Sequence, residues 1–133
     1  MSTPIGRLAS ISLDCPDAER LARFYGSLLG MTEAMSRPDR SLIVLADGSF
    51  SVTMMQVDNY TPPVWPDGPQ QQQIHLDVCV AELDAAVRSA VDLGAEVALT
   101  QPAPDVWRVM LDPAGHPFCL TTHSFCLSPS EGR

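Results

Sequence analysis

The sequence has no lysine: all eight of its basic residues are arginine, set against sixteen acids. A formal charge of −8 leaves no basic surface to neutralise phosphates, which excludes nucleic acid as a partner. A lysine-free chain rich in Ala, Pro and Asp is associated with GC-rich bacterial genomes. The four cysteines, at 15, 79, 119 and 126, form no CxxC pair, so neither a zinc ribbon nor a thioredoxin-type motif is present. No stretch approaches the roughly 18 apolar residues of a membrane span, and no basic-then-apolar leader opens the chain. These absences predict a soluble, cytoplasmic protein that makes no membrane contact and keeps its thiols reduced. Cys15 and Cys79 are expected to serve as small apolar residues at strand ends.

What the sequence does contain is a repeat. Residues 73–95, QIHLDVCVAELDAAVRSAVDLGA, alternate like a strand and then take up helical spacing. Residues 9–31, ASISLDCPDAERLARFYGSLLGM, give the same signals in the same order. Cys15 and Cys79, and likewise Gly30 and Gly94, stand 64 residues apart. One strand and one helix cannot bury their apolar faces alone, so each unit needs further strands and a partner of similar build. At 133 residues the chain is long enough for one domain made of two such halves.

Along the first half, the pattern predicts a strand over 9–14, then a helix opened by Pro16 and Asp17 and stopped by Gly30, with Leu21, Phe24, Tyr25, Leu28 and Leu29 as its apolar stripe. A weakly marked strand follows near 33–37, and a hairpin pairs 41–46 with 50–57. Strand parity puts Thr53 and Met55 on one face and Met54 on the face beneath the helix. Residues 58–72, with Pro62-Pro63, Trp65-Pro66 and Asp67-Gly68-Pro69, read as an extended, stiff linker anchored by Trp65. The second half repeats the plan: strand 73–80, helix 81–93, then strands 97–100, 106–111 and 116–122, ahead of a frayed tail over 124–133. Module one thus spans about 7–57 and module two about 73–123.

The segments LDCPDAERLARFYGSLLG (13–30), HLDVCVAELDAAVRSAVDLGA (75–95) and DPAGHPFCL (112–120) resemble the vicinal oxygen chelate superfamily, which includes glyoxalase I, bleomycin-resistance proteins, fosfomycin-resistance enzymes and extradiol dioxygenases. PPVWPDGPQQQQIHLD (62–77) is similar to the small bacterial glyoxalase-like domain proteins within it. The resemblance implies an α+β fold: two βαβββ modules form an open, U-shaped, eight-stranded sheet around a cavity, with helices outside, usually in a homodimer.

The superfamily's metal enzymes place a His on the first strand of each module and a Glu on the last. Carried over to this sequence, those positions fall at Ser10 or Ile11 and near Thr53 in module one, and at His75 and Cys119 in module two. One donor of four survives, so no metal and no other cofactor is expected. The candidate ligand-binding residues are Ser10, Ser12, Thr53, Met55, His75, Asp77, Trp107 and Cys119. His75 is the candidate acid-base should the protein be an enzyme, because an imidazole can titrate near neutrality.

Among the remaining candidates, His116 in its Gly-His-Pro turn reads as structural, and His123 borders the tail. Arg108 would favour an anionic ligand if it pointed inward, and parity alone leaves Trp107 unplaced. Two functional expectations follow. One is a metal-free binder of a small, largely apolar or aromatic organic molecule, of the sequestration, carrier or resistance type. The other is a glyoxalase-like lyase or isomerase using His75, either alone or in an atypical metal site with Asp77 and Cys119. A dimeric structural module with a filled cavity is a third reading.

Overall fold

The computed structural model describes residues 4–122. The tail over 124–133, with Cys126, and His123 before it lie outside the described residues. The chain divides at Tyr60/Thr61 into two compact units, and each builds one helix and one four-stranded sheet.

In the first unit, β1 (Ile11–Cys15) leads into α1 (Ala18–Leu29), followed by β2 (Thr32–Ser36), β3 (Leu42–Ala46) and β4 (Ser51–Gln56). The sheet order is β1-β4-β3-β2, with β1 parallel to β4 and the remaining pairs antiparallel. The weakly marked first-half strand is β2, which pairs with β3 through an irregularity between Glu33 and Met35.

Helix α1 starts where the sequence signals it. Asp17 caps it in an extended conformation, its carboxylate accepting from the Arg20 N–H at 3.1 Å. The Ala18 N–H, a second donor with no partner inside the helix, donates to Gln56 Oε1 at the end of β4. Gly30 ends the helix with a φ of 67°, a left-handed conformation that glycine adopts without a Cβ penalty. Leu45 faces α1 near Gly26. Its register partner Val52, and with it Met54 and Ile43, therefore share the helix-covered face. All four are buried, together with Leu21, Phe24 and Tyr25 from the helix. Arg40 then braces the module's rim, reaching Glu19 at 2.6 Å and Glu33 at 2.9 Å.

The second unit repeats the order: β5 (Leu76–Cys79), α2 (Leu83–Asp92), β6 (Glu96–Val97), β7 (Trp107–Leu111) and β8 (Pro117–Thr121), arranged β5-β8-β7-β6. Helix α2 is capped by Glu82, whose side chain accepts from the Ala85 N–H. On the helix side of this sheet lie Phe118, Leu120 and Met110, all fully buried. The α+β arrangement of two βαβββ modules is thus present, with every expected strand.

Two sequence expectations need correction. Segment 58–72 is not extended throughout: from Thr61 it belongs to the second unit, and Val64 donates its N–H to the Gln70 carbonyl at 2.6 Å to close a loop. Gly68 makes that closure possible, because a Cβ there would sit 2.4 Å from the Val64 Cβ. The two strand-end cysteines also differ. Cys15 is buried and free, whereas Cys79 is exposed and disulfide-bonded, so the expectation of reduced, buried thiols fails at Cys79.

Candidate functional site

The site is built from the helix-free face of the second sheet. Strand alternation and register settle which side chains reach it. Asp77 pairs with Cys119, Cys119 with Val109, and Trp107 with Thr121, so Asp77, Cys119, Val109 and Trp107 share a face. Arg108 takes the opposite face, where it donates to Asp84 Oδ1 of α2 at 2.9 Å and to the Pro104 carbonyl. The inward orientation considered for Arg108 is therefore excluded, and Trp107, which parity alone could not place, stands on the open side.

Cys119 is 9% exposed and Val109 3% exposed although no helix covers them. They form a small apolar cluster with Ala98, and Trp65 and Trp107 pack against it. The folded-back loop thus supplies its indole to the same floor as β7. A cleft of about 280 Å³ results, lined by Trp65, Gln72, His75, Asp77, Trp107, Val109, Pro117 and Cys119.

Its polar chemistry is concentrated at one end. His75 Nε2 lies 3.3 Å from Asp77 Oδ1, and both side chains are partly open to solvent. The ligating atoms of His75, Asp77 and Cys119 all lie within 4.8 Å of one another. Burial first, and then the negative charge of Asp77, push the Cys119 thiol up to about 11, so it is a neutral thiol at neutral pH rather than an anion. Gln72 Oε1 is buried and accepts no hydrogen bond among the described residues.

The expected residues of module one occupy the corresponding sheet. Ser12 pairs with Thr53 and Asp14 with Met55, all on the face away from α1. Ser10 Oγ and Thr53 Oγ1 are 2.7 Å apart and hydrogen-bonded to each other. Ser10 stands two residues before the β1 partner of Thr53, as His75 stands two before the β5 partner of Cys119. Met55 is half-buried on this face and Met54 fully buried on the other, as parity predicts.

The first module also has a wider depression of about 590 Å³, lined by residues that include Glu19, Arg23, Glu33 and Arg40. Arg40 there is already bonded to Glu19, Glu33 and Ser36, which makes a bracing network rather than a binding surface.

Sequence reasoning brought four of the eight candidates, His75, Asp77, Trp107 and Cys119, to one cleft. It missed Gln72, Val109 and Pro117 and gave Trp65 only an anchoring role. Val109 was recoverable, since it lies one alternation from Trp107 on the same strand. Gln72, in an aperiodic run of glutamines, carries no such signal.

A family model for the glyoxalase-like domain matches residues 10–121 of this chain. Solved structures share the fold at low identity. A glyoxalase-related enzyme from Fulvimarina pelagi is 20% identical, with 88% of each chain covered and a TM-score of 0.65. A fosfomycin resistance protein from Mesorhizobium loti is 18% identical, covering 91% of this chain and 94% of that one, with a TM-score of 0.64. A glyoxalase/bleomycin resistance protein/dioxygenase family enzyme from Burkholderia phytofirmans is 17% identical, covering 84% and 94%, with a TM-score of 0.62. No protein of curated function matches. With a family match running from the start of the first sheet to the end of the last strand, the chain belongs to the glyoxalase-like domain family, and it shares its fold with these solved structures.

Proposed function

We propose that this protein binds a small, largely apolar or aromatic organic molecule without a metal, as a sequestering, carrier or resistance protein. The observation that carries this reading is the second-module cleft, whose floor of Val109 and Cys119, backed by Ala98, is packed against by two indoles rather than by a helix. Concave, mostly apolar surfaces with a few convergent polar groups are the usual form of small-molecule sites. The ligand-binding roles proposed for Ser10, Ser12, Thr53 and Met55 on the first module belong to the same reading. So do a cytoplasmic location, a bacterial source and a homodimeric state, the last checked by sedimentation.

The superfamily's metal chemistry fits these residues poorly. Ser10 and Thr53, at the positions carried over for first-module donors, are neutral hydroxyls that bond each other. Cys119, at the second-module Glu position, offers a thiol where the metal enzymes have a carboxylate, and burial together with Asp77 disfavours its thiolate. A divalent ion needs several donors at once, and His75 with Asp77 supplies only one imidazole and one carboxylate unless the Cys119 thiol, within 4.8 Å of both, gives up its proton on binding. No step is therefore routed through a metal.

The alternative is a glyoxalase-like lyase or isomerase, favoured by one observation: the 3.3 Å approach of His75 to Asp77, a carboxylate able to orient an imidazole acting as acid-base. Turnover of a hemithioacetal, measured with and without added divalent ions, separates the two readings. The binding reading expects no turnover in either condition and no stoichiometric metal in protein purified without chelator. Turnover that disappears in His75→Ala would replace it with the enzymatic one.

A further inference from the structure

We propose that the ligand of the second-module cleft is a small organic cation, an aromatic or apolar body carrying an ammonium or amidinium group. This rests on the reading of that cleft as a small-molecule site.

The cleft's charges are one-sided. Asp77 is the only carboxylate among its lining residues, and no arginine lines it. The basic side chain nearest in sequence, Arg108, is on the far side of the sheet and engaged with Asp84. His75 sits beside Asp77, its Nε2 3.3 Å from Oδ1, at the same end of the cleft. The field of that carboxylate reaches the floor, where it adds to the burial that keeps the Cys119 thiol protonated. An anionic ligand would meet this charge with no guanidinium or ammonium to offset it.

The walls favour a cation as well. Trp65 and Trp107 both line the cleft, and indole faces attract ammonium and guanidinium-like groups through the ring quadrupole. Among the described residues Gln72 Oε1 is a buried acceptor lacking a donor, and leaving such an atom unmatched is costly. A ligand bearing N–H groups supplies the missing donor, whereas a purely apolar ligand leaves the oxygen unmet. Asp77 is partly exposed while Val109 and Cys119 are buried. The charge of the ligand is accordingly placed at the mouth, with its apolar body over the floor. The volume of about 280 Å³ limits that body to a small one.

The experiment is a titration with benzamidinium, benzamide and benzoate, which share one ring and nearly one shape and differ in charge. Tryptophan emission is the readout, because the chain's two tryptophans both line the cleft. Benzamidinium is expected to bind about tenfold or more tighter than benzamide, a difference of about 1.4 kcal/mol, and benzoate weakest of the three. Asp77→Asn should reduce the preference to within about twofold while benzamide binding persists. Equal binding of benzamide, or tighter binding of benzoate, overturns the cationic ligand but leaves the cleft as a small-molecule site. No emission change and no calorimetric heat with any of the three overturns both. If Asp77→Asn fails to fold, the three-ligand series on the unaltered protein still decides.

Discussion

The two modules share a topology and differ in what they place on the open face of the sheet. In the first, that face carries Ser12, Asp14, Thr53 and Met55, with the Thr53 hydroxyl bonded to that of Ser10. In the second it carries His75, Asp77, Val109 and Cys119, overlaid by two tryptophans and edged by an amide oxygen unmatched among the described residues. The helix sides differ in the opposite sense. Helix α1 buries five of its residues, including Phe24 and Tyr25, whereas α2 buries only Ala90. The first module thus invests its apolar residues under its helix, and the second spends part of its own on a concave floor. A repeated backbone fixes where side chains can stand without fixing what they do.

The largest expected effect tests whether the second sheet depends on its helix-side core as fully as the first does. Met54 and Phe118 are both 0% exposed, one beneath each helix. Phe118→Ala should cost about 3–5 kcal/mol and Met54→Ala about 2–5 kcal/mol, read by urea unfolding. A Phe118→Ala cost near 1 kcal/mol would mean that the apolar floor, rather than the helix side, supports the second module.

Cys119 gives the next largest effect, because its counterpart on the first module's open face, Thr53, has no thiol to titrate. Its thiol is raised from 9.0 to about 11. Between those values the unfolded chain has lost the proton and the folded one has kept it, so the unfolded state binds fewer protons and stability falls as pH rises. Stability fully present below pH 9 is lost progressively up to about pH 11, a change of about 2–3 kcal/mol. Cys119→Ala should remove that part of the alkaline decline. At pH 8, alkylation of Cys119 should run roughly a hundredfold slower than that of a thiol with the ordinary value, because only the thiolate reacts. Rapid labelling would show the cleft to be wetter than its burial indicates.

Much of this was legible in the sequence because alternation and helical spacing report directly on faces. Met54 under the helix and Met55 on the open side follow from parity alone, and so does the shared face of His75, Asp77 and Cys79. The rest was not, for reasons of register. A rigid 64-residue offset aligns Cys15 with Cys79, yet Cys15 is buried on the helix side, the face of the half-buried Leu13, while Cys79 shares the exposed face of Asp77. One residue of slip flips every side chain of a strand, so a repeat read from its punctuation can name equivalent strands and still mismatch their faces. Trp65 and Gln72 were hidden for another reason. They lie on a loop whose path is set by the Val64–Gln70 hydrogen bond and the close approach at Gly68, neither of which has a period.

The smallest expected effect compares the two helix starts. Asp17 is a preferred N-cap, and α1 is secured a second time where Gln56 Oε1 accepts the Ala18 N–H at 3.1 Å. Glu82 caps α2 with a longer side chain that must be ordered over one more torsion, so less of its hydrogen bond remains as net stability. Asp17→Ala should therefore cost about 1 kcal/mol and Glu82→Ala a few tenths, both read by thermal unfolding. The pair also tests the asymmetry of burial. Since α2 buries only Ala90, its stability leans more on local terms than that of α1. A Glu82→Ala cost exceeding that of Asp17→Ala would show that this dependence outweighs the poorer geometry of the longer cap. Removing Gln56 as well as Asp17 should cost more than either change alone if the two groups support separate N–H donors. A double change no worse than the single one would mean that the two caps act as alternatives.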